Sequence, residues 1–591
     1  MGKALKYLLI AVVILVLVVA GGAAAIVLLV DPNDYRDEIA SQVREQTGRE
    51  LTLGGDIGLS VFPWLGLTLN DARLSNAPGF GDEPFAEVGE VEIRVKLMPL
   101  LSKQLEMETA RLIGLKVNLA RNENGRTNWD DLTAGKPGDE GKGPGDRGPG
   151  AGGGALAGLA IGGIEIRDAA LTWDDRLEDR RFAVQDLRLT TGPIDGRGPV
   201  DVAFGFDVRS DKPEMRGPIE FKGRVLADHV NHRMRVDGAE LTVDLEGAGL
   251  PGGAFDASLR ADLAADMAQQ TASIANLRLD TLGVSATGGV EAAQIQDAPR
   301  VTGQLDVAEF ELAELVGRLG IELPEGVDAA RLGTVRLASR FNATQNSAEL
   351  ERLVIDVAGG QVEAKAKIAD LSQPSAAGEL ELRGLNPRVL LAATGQAVET
   401  ADPEVLKRLN LTTAFTGGPD RVALRDLALT LDESQLKGSA SVRDFAAPAI
   451  RFELDLDTID ADRYLPPPAE GEKAAVATPG AGAGAAAQLP LETLRALDID
   501  GTLRIGRLKA YNLKSSDIVL RLTASDGQLR INPAQAQMYD GRYKGNIGLD
   551  VRTDTPRLSL DESLSGVQVG PLLRDLTGEE EKLTGRAQVN A

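Results

Sequence analysis

The 591-residue sequence contains no cysteine and only two histidines. Disulfides, thiolate nucleophiles, zinc–thiolate sites and iron–sulfur clusters are therefore excluded. The missing cysteine fits a reducing compartment or a bacterial envelope protein that avoids disulfides, and does not choose between them. Positive charge is also scarce: 64 Lys and Arg face 88 Asp and Glu, a net charge of −24. Nucleic-acid affinity is mostly cation-driven counterion release, so no nucleic-acid partner is expected. Broad adhesion to an anionic lipid surface is disfavoured for the same reason.

Motifs of catalysis are absent too. Neither Gly-x-Ser-x-Gly nor a Gly-x4-Gly-Lys-Ser/Thr loop occurs. His229 and His232, three apart, would point to opposite faces of a strand and make a poor metal site. Asp174-Asp175 and Glu579-Glu580-Glu581 lie in polar surroundings and read as solvated turns. Trp64, Trp129 and Trp173 stand alone in the sequence and read as packing residues. We expect no catalytic residue, no metal site, no cofactor and no enzyme.

What is present begins with a long apolar run. From Tyr7 to Val30 no side chain is charged, and those 24 residues are mostly Leu, Ile, Val or Ala. At about 1.5 Å each they give roughly 36 Å of helix, enough for a ~30 Å hydrocarbon core. Lys3 and Lys6 precede the run, and Asp31, Asp34 and Asp37 follow it. The positive flank stays in the cytoplasm, so the remainder is expected outside it. The alternative is a cleaved signal peptide, suggested by the small residues Ala20 to Ala25. A signal core usually spans about 7–15 residues, and this run is longer. Asn33 or Asp34 then reads as the cap of a short helix that Gly48 closes.

Beyond the helix, apolar and polar residues alternate with period two, the mark of strands with one dry face. Val91-Glu92-Ile93-Arg94-Val95, Val202-Ala203-Phe204-Gly205-Phe206, Leu241-Thr242-Val243-Asp244-Leu245 and Ile450-Arg451-Phe452-Glu453-Leu454 are clear instances. Candidate dry-face residues are Val91, Ile93, Val95, Phe204, Phe206, Val243, Ile450, Phe452 and Leu454. Two segments break the pattern, 135–163 and 466–488, rich in Gly, Pro and Ala; both are expected to be disordered. The expected organisation is an anchor (1–30), an N-terminal α/β unit (31–134), a linker (135–163) and a β body (164–591).

The body repeats. A strand, a glycine-containing turn and a second strand recur from Leu277 through Gly283, Leu353 through Gly359, Leu427 through Gly438 and Leu529 through Gly541. A strand end running into a short Leu-rich helix keeps the same step, at Val307 to Leu319, Leu385 to Leu391, Ile459 to Leu465 and Val567 to Leu573. The shared step is about 75 residues, and each repeat should supply about five strands and one helix. One short helix cannot cover such a face, which must meet a second sheet, its own curvature or an apolar ligand. On periodicity alone, stacked sandwiches with mutually filled inner faces are the plainer solution.

These residues resemble the AsmA family of bacterial envelope proteins. The resemblance is carried by Val30-Asp31-Pro32-Asn33-Asp34-Tyr35-Arg36, Arg49-Glu50-Leu51-Thr52-Leu53, Val61-Phe62-Pro63-Trp64, Leu97-Met98-Pro99-Leu100-Leu101 and Asn128-Trp129-Asp130-Asp131-Leu132. It resumes at Leu558-Ser559-Leu560 and at Ser563-Leu564-Ser565-Gly566-Val567 into Pro571-Leu572-Leu573. It implies an elongated, repeating, mainly β groove of antiparallel strands with short helices, behind one N-terminal transmembrane helix. It further implies a single-pass inner-membrane protein with a cytoplasmic N-terminus and a periplasmic body. The implied role is phospholipid traffic between inner and outer membranes and envelope integrity, with phospholipids as partners. A periplasmic scaffold for outer-membrane protein assembly, binding outer-membrane or periplasmic proteins by β-augmentation, is the alternative. The sequence stops at Asn590-Ala591 inside what reads as a new strand, where the family pattern would continue.

Overall fold

The computed structural model describes residues 31–61, 64–97, 99, 106–133, 160–195, 198–228, 230–467, 491–553, 555–578 and 583–591. The expected anchor at 1–30, His229 and most of the two Gly/Pro/Ala-rich segments lie outside them. Among the described residues no helix is long and apolar enough to cross a membrane. The chain is mainly β, antiparallel, with a few short helices. It forms two compact units, residues 1–283 with 317–321, and residues 284–316 with 322–591.

The first turn after residue 30 is capped by Asp31, whose carboxylate accepts from the Asn33 amide at 2.9 Å. Sequence favoured Asn33 or Asp34; Pro32 instead occupies the first helical position, which makes the residue before it the cap. Helix Arg36–Thr47 then ends at Gly48 in the left-handed conformation, φ 72°.

In the first unit the family-like segments at Arg49 and Asn128-Trp129-Asp130-Asp131 come together. The Arg49 guanidinium, 2% exposed, donates to both Asp131 carboxylate oxygens at 2.6 and 3.0 Å and to the Asn128 carbonyl at 2.5 Å. It also lies 4.5 Å above the Phe85 ring. Asn128, with no exposed surface, accepts from the Ala120 amide and donates to Asn76 Oδ1 and the Asn118 carbonyl. Trp129 and Trp173, which look isolated in the sequence, pair at 5.4 Å.

Two strand junctions are parallel. Strand Ala160–Asp175 runs parallel to Glu106–Ile113 and Lys116–Arg121, and Asp498–Ala510 runs parallel to Ala449–Asp460. Antiparallel neighbours can be joined by a two-residue turn, whereas a parallel neighbour needs a crossover of a dozen or more residues. Both Gly/Pro/Ala-rich segments fall at these junctions. The strand opening at Ala160 begins inside the stretch read as a linker ending at 163.

The second unit carries the repeats. Hairpins join Ala348–Val357 to Gly360–Ile368, Arg421–Leu431 to Ser434–Arg443, and Gln528–Met538 to Gly541–Asp550. Helices Pro387–Ala393 and Val569–Thr577 and the 3-10 turn Ala461–Arg463 recur between them. Successive helical elements are separated by four strands from Thr334 to Leu385 and again from Leu409 to Asp460, and by the expected five only from Asp498 to Gln568. The stretch after a helix folds as a loop: Arg388 donates to Thr400 Oγ1, to the Val398 carbonyl and to the Val405 carbonyl.

Gly359 sits in its hairpin turn at φ 74°, but Gly438 does not. In that repeat Asp432, at φ 52°, serves the turn, and Gly438 lies inside strand Ser434–Arg443. A Cβ there would stand 1.9 Å from the Glu453 carbonyl oxygen, on backbone at φ 144°. We expect Gly438→Ala to destabilise the second unit by roughly 2–4 kcal/mol, from overpacking added to backbone strain. Urea titration checks both this and Gly359→Asn, which has open space around it and should stay within about 1 kcal/mol, since Asn tolerates that conformation.

Candidate functional site

Residues opposite one another in a ladder share a face, so register shows what each face carries. In the first unit one row passes through eleven strands without a polar side chain. It runs Ile57, Leu69, Val91, Leu112, Ile166, Leu189, Phe204, Phe221, Leu241, Leu259, Leu279. A neighbouring row holds Phe206, Ile219, Val243 and Ala257. The Phe204 ring stacks on Phe221 at 5.0 Å and on Phe206 at 6.3 Å.

The second unit repeats the design. One row crosses twelve strands: Ala286, Val307, Leu337, Ile355, Val362, Leu382, Leu411, Leu429, Leu436, Leu456, Ile505, Ile518. Beside it run the rows of Ile450, Phe452 and Leu454, which face Ile499, Gly501 and Leu503. The Phe452 ring covers Gly501, where a Cβ would stand 2.4 Å from it. An aromatic ring lying over a cross-strand glycine is a recurrent way to protect that backbone.

Burial separates the two readings of these faces. Ten of the eleven residues in the first row and nine of the twelve in the second are only half-buried. Filled inner faces of a sandwich are packed to interior density and leave such side chains sealed. Half-burial is what neighbours within one sheet provide. Among the described residues, Ala77, Phe80 and Ala120 form a small buried hydrophobic cluster. Ile93 and its cross-strand partner Leu67 are 39% and 48% exposed, and Val95 lies between Leu65 and Met107.

The opposite face is charged and paired. Arg504 meets Glu453 at 2.9 Å and Asp455 at 3.4 Å, hydrogen bonds that raise its pKa. Arg352, Glu363, Arg383 and Glu381 form a similar chain across three strands, with contacts of 3.2, 3.7 and 2.6 Å. Such exposed pairs contribute about 0–1 kcal/mol each and keep the face wet. A recess of about 1180 Å³ lies at one end of these strands in the first unit, lined by residues of both faces, Trp173, Phe182 and Met215 as well as Thr172, Arg209 and Arg216. Among the described residues no group of His, Asp and Glu is placed to hold a metal ion.

All nine residues singled out from the alternation therefore fall on apolar rows, of which the row of Phe206 and Val243 ends at Thr281 and that of Leu454 at Glu562. Sequence reading missed Phe221, which completes the aromatic cluster, and Glu562. The signal for Glu562 was its phase: it stands where Leu558, Leu560 and Leu564 call for an apolar residue.

Compared with known proteins, the chain matches the AsmA family over residues 1–591. The protein AsmA of Escherichia coli (strain K12) is 25% identical over 225 residues, which cover 38% of this chain and 34% of that protein. The chain thus aligns with about a third of the length of that relative. No solved structure matches.

Proposed function

From the premise that this chain belongs to the AsmA family, we propose that it conducts phospholipids between inner and outer membranes along its apolar sheet faces, without enzymatic chemistry. The observation that carries the reading is the half-buried apolar row in each unit, eleven and twelve strands wide. An acyl chain leaving a bilayer for water loses about 0.8 kcal/mol per CH₂. A chain laid on such a row keeps most of that, while the headgroup stays with water at the rim. A face of this kind provides a path and no direction, so net flux follows a gradient or a partner. Family membership supports an envelope role, and the run from Tyr7 to Val30 would hold the protein in the inner membrane with its body in the periplasm.

The test is capture. Full-length protein carrying a photo-crosslinker at Phe452 is activated in membranes, purified, and its adducts identified by mass spectrometry. Position Glu453, on the charged face, is the control. We expect phospholipid adducts from Phe452 at ten or more times the yield from Glu453. Equal yields, or protein adducts in place of lipid, would reject conduction and favour an assembly scaffold.

A further inference from the structure

The row through Leu454 is apolar for six strands, Gly438, Leu454, Leu503, Leu520, Ala534 and Gly545, and then meets Glu562. Its carboxylate and the Tyr543 hydroxyl both lie over Gly545: a Cβ there would stand 2.1 Å from Glu562 Oε2 and 2.6 Å from Tyr543 Oη. Glycine is what leaves room for the pair. Glu562 is half-buried, and its Oε2 is shut off from water beside the Tyr543 hydroxyl. Burial, then a hydrogen bond to the Glu562 carboxylate, pushes the Tyr543 phenol up to about 12. On the same strand and the same face, Leu558 and Leu560 are 64% and 54% exposed.

A carboxylate that ends an apolar row with one phenol as its partner keeps acceptor capacity that a cation can fill. Exposed leucines beside it offer a platform for an acyl chain. Both needs are met by one class of molecule, an amphiphile whose head carries N–H donors and positive charge. We propose that Glu562, with Tyr543 beside it, takes the primary ammonium of an aminophospholipid and disfavours anionic headgroups. Ammonium donors form charge-assisted hydrogen bonds with the carboxylate, whereas a headgroup of net negative charge meets like charge at short range. This selectivity rests on the apolar face being the lipid path.

Full-length protein in mild detergent is exchanged against vesicles of equimolar phosphatidylethanolamine and phosphatidylglycerol, repurified, and its lipids quantified by mass spectrometry. Wild type should retain the ethanolamine lipid at least three-fold over the glycerol lipid. Glu562→Gln, nearly isosteric, should bring the ratio to about one with total lipid unchanged, and Tyr543→Phe should fall between. Lipid bound by wild type at the input ratio, or enrichment kept by Glu562→Gln, overturns the role of Glu562 and leaves conduction standing. No lipid on wild type overturns conduction and this selectivity together.

Discussion

Phe452→Asp should give a folded protein that fails to carry lipid. The ring is half-buried, lies over Gly501 and belongs to a row that continues through Leu522 and Ile531. Its loss should destabilise the second unit by about 1–2 kcal/mol, the scale of a cross-strand aromatic contact plus strand propensity. The effect on transport should be far larger, because an ionised carboxylate in mid-row must be desolvated by every acyl chain that passes. We expect lipid adducts at the neighbouring position Leu454 to fall at least ten-fold, and a strain lacking the protein to remain unrescued. Glu453→Gln removes an exposed contact with Arg504 worth at most about 1 kcal/mol and should rescue fully. A well-folded Phe452→Asp that rescues as well as wild type would sink conduction along this face.

The second large effect concerns Arg49. Arg49→Met removes a buried cation that binds Asp131, the Asn128 carbonyl and the face of Phe85. It should destabilise the first unit by about 3–5 kcal/mol, or roughly 6–20 °C in Tm. Trp64, Trp129 and Trp173 are all the tryptophans of the chain and all lie in that unit, so intrinsic fluorescence reads its unfolding selectively. The hydrogen bond from Arg49, then its charge, holds the Asp131 carboxyl below the usual range. A lowered carboxylate pKa adds stability above the unfolded value near 3.9, and that stability is lost as pH falls through the folded value. Asp131→Asn should therefore cost about 2–3 kcal/mol at pH 7, and the gap to wild type should close below about pH 4. An equal gap at pH 7 and pH 3 would show that the pair does not carry the stability.

The apolar faces were legible because a strand writes its facing into every second residue. Ile450, Phe452 and Leu454 needed only that rule, and the ladders add that they stand beside Ile499, Gly501 and Leu503. The repeat step was legible through its hairpins and helices. What stayed hidden depends on distant partners. Nothing in the local sequence of Arg49 points to Asp131, 82 residues away. Gly438 looks like a turn glycine until Glu453 is placed beside it. The segments at 135–163 and 466–488 declare only that they lack a core, and their composition does not reveal that each spans a parallel junction.

That second junction has a consequence of parity. Between helix Pro387–Ala393 and the turn Ala461–Arg463 lie four strands, an even number, so the helical element returns to the same rim. Between Ala461–Arg463 and helix Val569–Thr577 lie five. Five reversals would deliver that last helix to the opposite rim, but the crossover into Asp498–Ala510 skips one reversal and restores the phase. The extra strand and the crossover thus form a matched pair. Removing both leaves every helix on its side, whereas removing either alone would invert the order of everything that follows.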